Sequence, residues 1–401
     1  MKTQKLLAKY VKVPAIRQLD KINSWANIFQ KDAHPYSQHF YEGVNAHEKL
    51  EQAVEKAKAD LRMRITGDGL FHYRYHPDKI PALVADTGDM AMHQGLALAT
   101  AVVMEDEKLS HTLYQGSLKF IKKDYLVRGF NERGKPNLTP PSLDQLAGLM
   151  LGWAMYKKKY CSNFKKASYL LYDSPATFFL EDFIFKDNFM LKDYQGNYVR
   201  GMKRHDSPFL IDGDAAVMLA ATALADYQGK FDDLCDLGLD DLAEYGHVHF
   251  LWWIAWYSLN VNMISLAVIY MLKCSDFALR GMRRLIKITD GWGMPFFKLL
   301  YQYLTGYRFD LEQMEQELYG YIFPYYGFKQ LDREGKFLWW KWYKTPISPR
   351  AQINSDWFPQ RGNHERFNNN DPDLWSPPYD ICYARHDLIF QYEILKKLKG
   401  G

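Results

Sequence analysis

The stretch Asp86–Val103 reads DTGDMAMHQGLALATAVV, and it decides the fold class. From Met90 onward this stretch carries no formal charge, and an acidic, glycine-containing cluster that can cap a helix precedes it. A helix that is apolar on all sides is enclosed on all sides in a globular protein. The stretch therefore predicts an inner helix of a large, mainly helical protein.

Two other apolar stretches open in the same way. One is SLDQLAGLMLGWAMY at 142–156, and the other is AAVMLAATALADY at 215–227, which follows Asp212-Gly-Asp214. Amphipathic stretches lie near them along the chain, at 108–122, 276–288 and 310–321. This alternation predicts apolar inner helices covered by amphipathic outer helices, an architectural repeat without a visible repeat of sequence.

Composition limits the classes of function. The chain has 401 residues, is 47% hydrophobic and has no Gly/Ser/Pro-rich linker, so we expect one domain over 1–401. A net charge of +4 is too small for a nucleic-acid surface. The four cysteines have no metal-ligand spacing, and no nucleotide motif is present, so we expect no metal and no cofactor.

The range 250–272 has no formal charge and is long enough to span a bilayer. Ser258, Asn260, Asn262 and Ser265 lie near its centre, where amides and hydroxyls are costly in hydrocarbon. We therefore expect an inner helix and no membrane span. Lysines interrupt the N-terminal apolar residues, so we expect no secretion signal and a cytoplasmic or virion-associated protein.

The last part of the chain has a different pattern. The range 345–377 is rich in Pro, Asn and Gly, which predicts a long loop that serves function or contacts a protein partner. A final helix is expected from Pro378 to Lys397. The aromatic run Phe337–Tyr343 is the best strand signal and predicts a short β-hairpin.

Three stretches resemble the six-hairpin glycosidase superfamily, whose members are α/α toroids. They are the stretch from Asp86, the S-x-D-Q-x-x-G-x-x-x-G pattern from Ser142, and PPYDICYARHDLIFQYEIL at 377–395. The resemblance implies an all-α toroid, with long loops and the short hairpin at one mouth. It also implies a central cleft that binds or cleaves an oligosaccharide or polysaccharide.

In such a toroid the N-terminal ends of the inner helices converge on one mouth. Glycoside hydrolysis needs two carboxyl groups, one to protonate the leaving oxygen and one to activate water or attack the sugar. The candidates are Asp86 or Asp89 on one side and Asp144 on the other, with Asp212 and Asp214 in reserve. The alternative is that each of these carboxylates only caps its helix.

Other side chains are candidates for binding the substrate. His93 shares a helix face with Asp86 and Asp89, and Gln145 offers an amide to a sugar hydroxyl. The remaining candidates are Tyr245, His247, Trp357 and Arg361. We interpret Gly148 and Gly152 as positions where a neighbouring helix approaches closely.

Three alternatives remain open. The chain would be a non-catalytic structural or adsorption protein, such as a virion component, if the toroid served only as a scaffold. A polysaccharide lyase would use Tyr245 and His247 with a nearby arginine. A sugar epimerase would need inward histidines on two helices, and His93 with His247 or His249 is the set that the sequence offers.

Overall fold

The computed structural model of the protein describes residues 18, 46–72, 74–75, 90–122, 125–131, 133–160, 174–199, 214–245, 256–289, 295–322, 382–383 and 386–400. Within these residues the protein is mainly helical, which confirms the predicted class. The thirteen α-helices described are α1 Ala46–Met63, α2 Met90–Val103, α3 Glu107–Leu118, α4 Leu143–Tyr160, α5 Pro175–Glu181, α6 Asp214–Leu224, α7 Gln228–Asp236, α8 Leu239–Glu244, α9 Trp256–Lys273, α10 Asp276–Thr289, α11 Phe296–Thr305, α12 Leu311–Ile322 and α13 His386–Leu398. A π-helix covers Asp182–Lys186, and the strands are β1 Arg74–Tyr75, β2 Ile121–Lys122, β3 Tyr125–Leu126 and β4 Cys382–Tyr383.

Six helices form the centre of the described structure: α2, α4, α6, α9, α11 and α13, here called the central helices. They are buried along most of their length, and in α2 every residue is buried. Each central helix contacts the next in chain order, and α13 contacts α2, so the contacts close into a cycle. Helix α4 also contacts α9, so these two central helices meet across the cycle.

The remaining helices cover the central ones. Helix α1 packs on α13, α3 on α2, α7 and α8 on α6, α10 on α9 and α12 on α13. In chain order these flanking helices alternate with the central helices. In α10, for example, the apolar residues are mostly buried and most of the charged residues are exposed. The predicted alternation of apolar and amphipathic helices is confirmed in the described residues.

Glycines allow α2 and α4 to pack with their backbones in contact. A Cβ at Gly148 would lie 2.7 Å from the carbonyl oxygen of Met92, and a Cβ at Gly152 would lie 2.4 Å from that of Gly95. The packing role predicted for Gly148 and Gly152 is thus confirmed. Because the pairing advances in the same direction along both helices, α2 and α4 are parallel.

Lysines connect the C-terminal ends of the central helices. Glu105, just after α2, accepts from Lys159 of α4 at 2.7 Å and from Lys397 of α13 at 2.9 Å. Lys157 of α4 donates to the carbonyl oxygen of Leu224, the last residue of α6. Lys273, the last residue of α9, pairs at 3.1 Å with Asp226, just after α6. These five central helices therefore end on one side of the protein and begin on the opposite side.

The Glu105 ion pairs give a pH-dependent contribution to stability. The ammonium group of Lys159, together with that of Lys397, lowers the pKa of the Glu105 carboxyl from 4.5 to about 2. A lowered pKa in the folded state stabilises above about pH 4.5, and this stabilisation is lost as the pH falls towards 2. We expect Glu105→Gln to melt slightly below wild type at neutral pH. The loss in free energy of unfolding should be less than about 1 kcal/mol, because the ion pair is exposed. Melting temperatures of both proteins against pH check this: a gap that stays constant down to pH 2 would refute it.

Three connecting loops share one local structure. Ranges 66–70, 131–135 and 193–197 each lie between a flanking helix or the π-helix and the next central helix. In each loop the first residue donates its backbone N–H to the carbonyl of the fifth, and its side-chain oxygen accepts from the N–H of the fifth. The fourth residue is glycine with φ between 69° and 86°. A positive φ favours glycine, so the loops follow a Thr/Asn/Asp-x-x-Gly pattern.

The end of the chain differs from its prediction. The final helix begins at His386 and not at Pro378. Residues 382–383, expected to be helical, instead form β4, which pairs antiparallel with β1. The backbone of residues 382–383 pairs with a strand that is far away in the sequence, so the prediction of a helix for this segment was wrong. Phe337–Tyr343 and the 345–377 loop lie outside the described residues. No described helix has the length and apolar character needed to cross a membrane.

Candidate functional site

The structure describes five of the predicted site residues. These are His93, Asp144, Gln145, Asp214 and Tyr245. The others lie outside the described residues: Asp86, Asp89, Asp212, His247, Trp357 and Arg361. The site is therefore built from the first turns of the central helices, where the described candidates are concentrated.

Asp144 lies in the first turn of α4 and is half-buried, whereas α4 is fully buried from Gln145 to Tyr156. Gln145 supplies one half of a capping box, in which its side-chain oxygen accepts from the Ser142 backbone N–H at 2.7 Å. The Ser142 hydroxyl also donates to Gln145 and contacts the Asp144 carboxylate. Since Gln145 satisfies the cap N–H, α4 does not depend on Asp144 for that bond.

Gln145 itself is completely buried. Its carbonyl oxygen is already bonded to Ser142, so a sugar hydroxyl would have to bind the amide nitrogen or displace the cap. The predicted contact between Gln145 and substrate stays a prediction.

Asp214 is the first residue of α6 and is also half-buried. Helices α4 and α6 contact each other, and their C-terminal ends meet at Lys157 and Leu224. At 1.5 Å per residue, Asp144 lies about 20 Å and Asp214 about 15 Å from that end. The two carboxylates therefore occupy the same end of two neighbouring parallel helices.

His93 of α2 contacts a histidine that the sequence analysis did not select. Its Nδ1 lies 3.1 Å from Nε2 of His386, the first residue of α13, and both side chains are completely buried. The edge of one ring meets the face of the other, and Thr100 bonds the His386 carbonyl at 3.1 Å. The predicted partners His247 and His249 lie outside the described residues. No pattern in the sequence before His386 indicated that α13 would start beside α2.

Tyr245 lies at the end of flanking helix α8, outside the central set. Its hydroxyl accepts from Arg284 of α10 at 2.7 Å, and the Arg284 guanidinium lies 4.1 Å from the ring centre. The buried carboxylate of Glu244 binds both Arg280 and Arg284. The arginine beside Tyr245 thus joins α8 to α10 in a structural network. A lyase role for Tyr245 would require Arg284 to leave this network.

Three polar residues of α9 are completely buried: Asn260, Asn262 and Ser265. Among the described residues, the two amides and the Ser265 hydroxyl have no hydrogen-bond partner. Buried polar groups in native proteins nearly always have partners, so each exception needs a physical explanation. The sequence analysis used these residues only as an argument against a membrane span and missed them as site candidates.

Groups that can take up or release a proton lie at one end of the central helices. Two half-buried carboxylates and a buried imidazole pair lie near the starts of the central helices. Within the described ranges, no three His, Cys, Asp or Glu side chains come together as a metal site. Compared with protein-family models, curated proteins and solved structures, the chain matches none.

Proposed function

We propose that the protein is an α/α toroid that binds a glycan at the mouth formed by the N-terminal ends of its central helices, and that it hydrolyses the glycan with paired carboxylates. The observation that carries this proposal is the placement of Asp144 and Asp214. Both are half-buried first-turn carboxylates on neighbouring parallel helices. The closed cycle of contacts among six central helices, each preceded by a flanking helix, supports the toroid.

Asp144 is the carboxylate to which we assign a chemical role. The Asp144 carboxylate contacts the Ser142 hydroxyl, whereas the Ser142 backbone N–H bonds Gln145, so a substitution at Asp144 leaves that backbone bond in place. Its partner is Asp86 or Asp89, as the sequence predicts, or Asp214 on the adjacent helix. One group protonates the glycosidic oxygen while the other, ionised, activates water or attacks the anomeric carbon.

A reaction-class screen tests this function. Purified protein is incubated with a panel of neutral and uronate-containing polysaccharides, and reducing ends and unsaturated uronates are measured separately. We expect reducing ends without unsaturated products, because hydrolysis adds water across the bond whereas a lyase creates a double bond. Unsaturated products would show that the protein cleaves the glycan by elimination and not by hydrolysis. No product from any polysaccharide would favour the scaffold alternative, including a structural or adsorption role.

A second candidate function is proton transfer at a sugar carbon, as in an epimerase. The position of His93 and His386 on two central helices motivates it, because imidazoles can accept and return a proton. The bond between the two rings must open for a sugar carbon to reach either nitrogen. Epimerisation exchanges a carbon-bound hydrogen with solvent and leaves the glycosidic bond intact. Incubation of free sugars in deuterated water, followed by mass spectrometry, separates the two functions. Deuterium uptake that is lost in His93→Gln would support the second candidate, and unlabelled sugar would exclude it for the sugars tested.

A further inference from the structure

Helix α9 carries two buried amides that have no hydrogen-bond partner among the described residues. In Asn260 and in Asn262, the amide nitrogen and the amide oxygen both lack a hydrogen-bond partner, and both side chains are 0% exposed. An amide that leaves water without gaining a partner destabilises the folded protein. A protein that keeps such a group bears this cost in its unliganded form, and a ligand that supplies the missing bonds removes it.

The two amides lie on different sides of α9. Leu266 of α9 points towards α10, because its Cδ1 would lie 2.7 Å from a Cβ at Gly281. At about 100° per residue, Asn262 lies about 40° around the helix from Leu266, and Asn260 about 120° from it. Asn262 therefore lies on the side of α9 that faces the flanking helix. Asn260 lies on a side turned towards the central helices, since α4, α6 and α11 also contact α9.

Asn260 also lies at the level of the carboxylate mouth. Lys273 joins the end of α9 to the end of α6, and Asn260 lies about 20 Å along α9 from Lys273. Asp144 lies at about the same distance along α4 from Lys157, the residue that joins α4 to the end of α6. The height along parallel helices and the side of the helix both place Asn260 next to the proposed cleft.

We propose that Asn260 is a specificity-determining residue that binds one hydroxyl group of a neutral sugar in the cleft. This inference rests on the proposed glycan function. A hydroxyl both donates and accepts, and the amide offers one carbonyl acceptor and two N–H donors, so the two groups satisfy each other. A uronate carboxylate would leave the amide oxygen without a donor, so neutral sugars bind in preference. The side chain is enclosed in the unliganded protein, so a sugar hydroxyl that reaches Asn260 displaces side chains that cover it.

Two matched substitutions test the inference: Asn260→Leu and Asn262→Leu. Leucine has a similar size and needs no hydrogen bond, so without ligand both variants should melt about 2 °C above wild type. Glucose, galactose, mannose and glucuronate are then added as probes. We expect a neutral sugar to raise the melting temperature of wild type and of Asn262→Leu, and to leave Asn260→Leu unchanged. On the cleaved polysaccharide, Asn260→Leu should raise KM about tenfold, with a smaller change in kcat.

The outcomes separate this inference from the proposed function. If wild type cleaves a glycan and Asn260→Leu keeps the wild-type KM and sugar-dependent melting shift, only the role of Asn260 is refuted. If Asn260→Leu melts well below both wild type and Asn262→Leu, the amide has a structural partner and the inference also fails. If wild type neither cleaves a polysaccharide nor melts at a higher temperature with any of the four sugars, the proposed function is refuted, and this inference is refuted as well.

Discussion

Gly95→Ala is expected to lower the free energy of unfolding by about 3 kcal/mol or more. A Cβ at Gly95 would lie 2.1 Å from the carbonyl oxygen of Gly148 and 2.5 Å from Cα of Leu149. These are backbone atoms of α4, so no side-chain rotation relieves the overlap, and α2 and α4 must separate. Separation would open voids along the buried interface between the two helices. Denaturant unfolding followed by circular dichroism measures the loss.

Gly229→Ala is the matched control for this substitution. Gly229 lies in α7, is exposed, and would place its new Cβ with no atom within 4 Å. Alanine favours helix by up to about 1 kcal/mol over glycine, so this variant should be as stable as wild type or more stable. Equal stability of the Gly95 and Gly229 variants would mean that α2 and α4 are not packed backbone to backbone, and the arrangement of the central helices would have to be revised.

Asp144→Asn is expected to lower kcat/KM for the cleaved glycan by about 10²–10⁴-fold. Asparagine keeps the size and the hydrogen-bonding capacity at the start of α4 but neither donates an acidic proton nor acts as a base at neutral pH. The Ser142–Gln145 bond remains, so the loss of stability should be below about 1 kcal/mol. Initial rates on the polysaccharide found in the screen, together with melting curves, measure both quantities.

Asp310→Asn separates capping from catalysis. Asp310 is an exposed carboxylate at the start of flanking helix α12, where it accepts from the backbone N–H groups of Glu312 and Gln313 at 3.0 and 3.1 Å. Its substitution should alter stability slightly and leave kcat/KM unchanged. If both variants keep wild-type activity, Asp144 is only a helix-terminal carboxylate and the catalytic assignment is wrong.

The central helices could be predicted from sequence because burial on all sides removes charge from every face of a helix. This signal placed α2, α4 and α6 within a few residues of their observed limits. For α9, the apolar range began several residues before the helix that the structure describes. The contact between α2 and α13 was not predictable in the same way, because no local pattern records which distant helix lies beside His93.

The repeated loops show where a sequence signal was missed. Asn131 and Gly134 have the same spacing as Asp193 and Gly196, and both pairs lie in connections that lead to a central helix. The first position needs a side-chain acceptor and the fourth needs a residue that tolerates a positive φ, while the other positions are not restricted. The repeat therefore has too few fixed residues to be detected from sequence alone. The sequence has the same spacing at 290–293 and 332–335, both of which lie outside the described residues.

The candidate site was predicted in part. Asp144 and Asp214 were selected because the inner helices of the toroid that the sequence resembles begin at one mouth, and the parallel central helices place both residues at the same end. Asn260 was not selected, since an asparagine in an apolar helix has no meaning for function until the hydrogen bonds around it are known. Sequence patterns identify which residues begin a helix, but not which buried groups lack partners.

Chemical rescue of Asp144→Ala tests the central claim most directly. Reducing-end release is measured for wild type and for the variant, each with and without added formate, a small carboxylate that can occupy the space of the missing side chain and leaves a reducing end as the product. We predict release by wild type, at least about hundredfold slower release by the variant, and partial recovery of the variant in formate. Wild-type protein that releases no sugar, or a variant as fast as wild type without formate, would contradict the account.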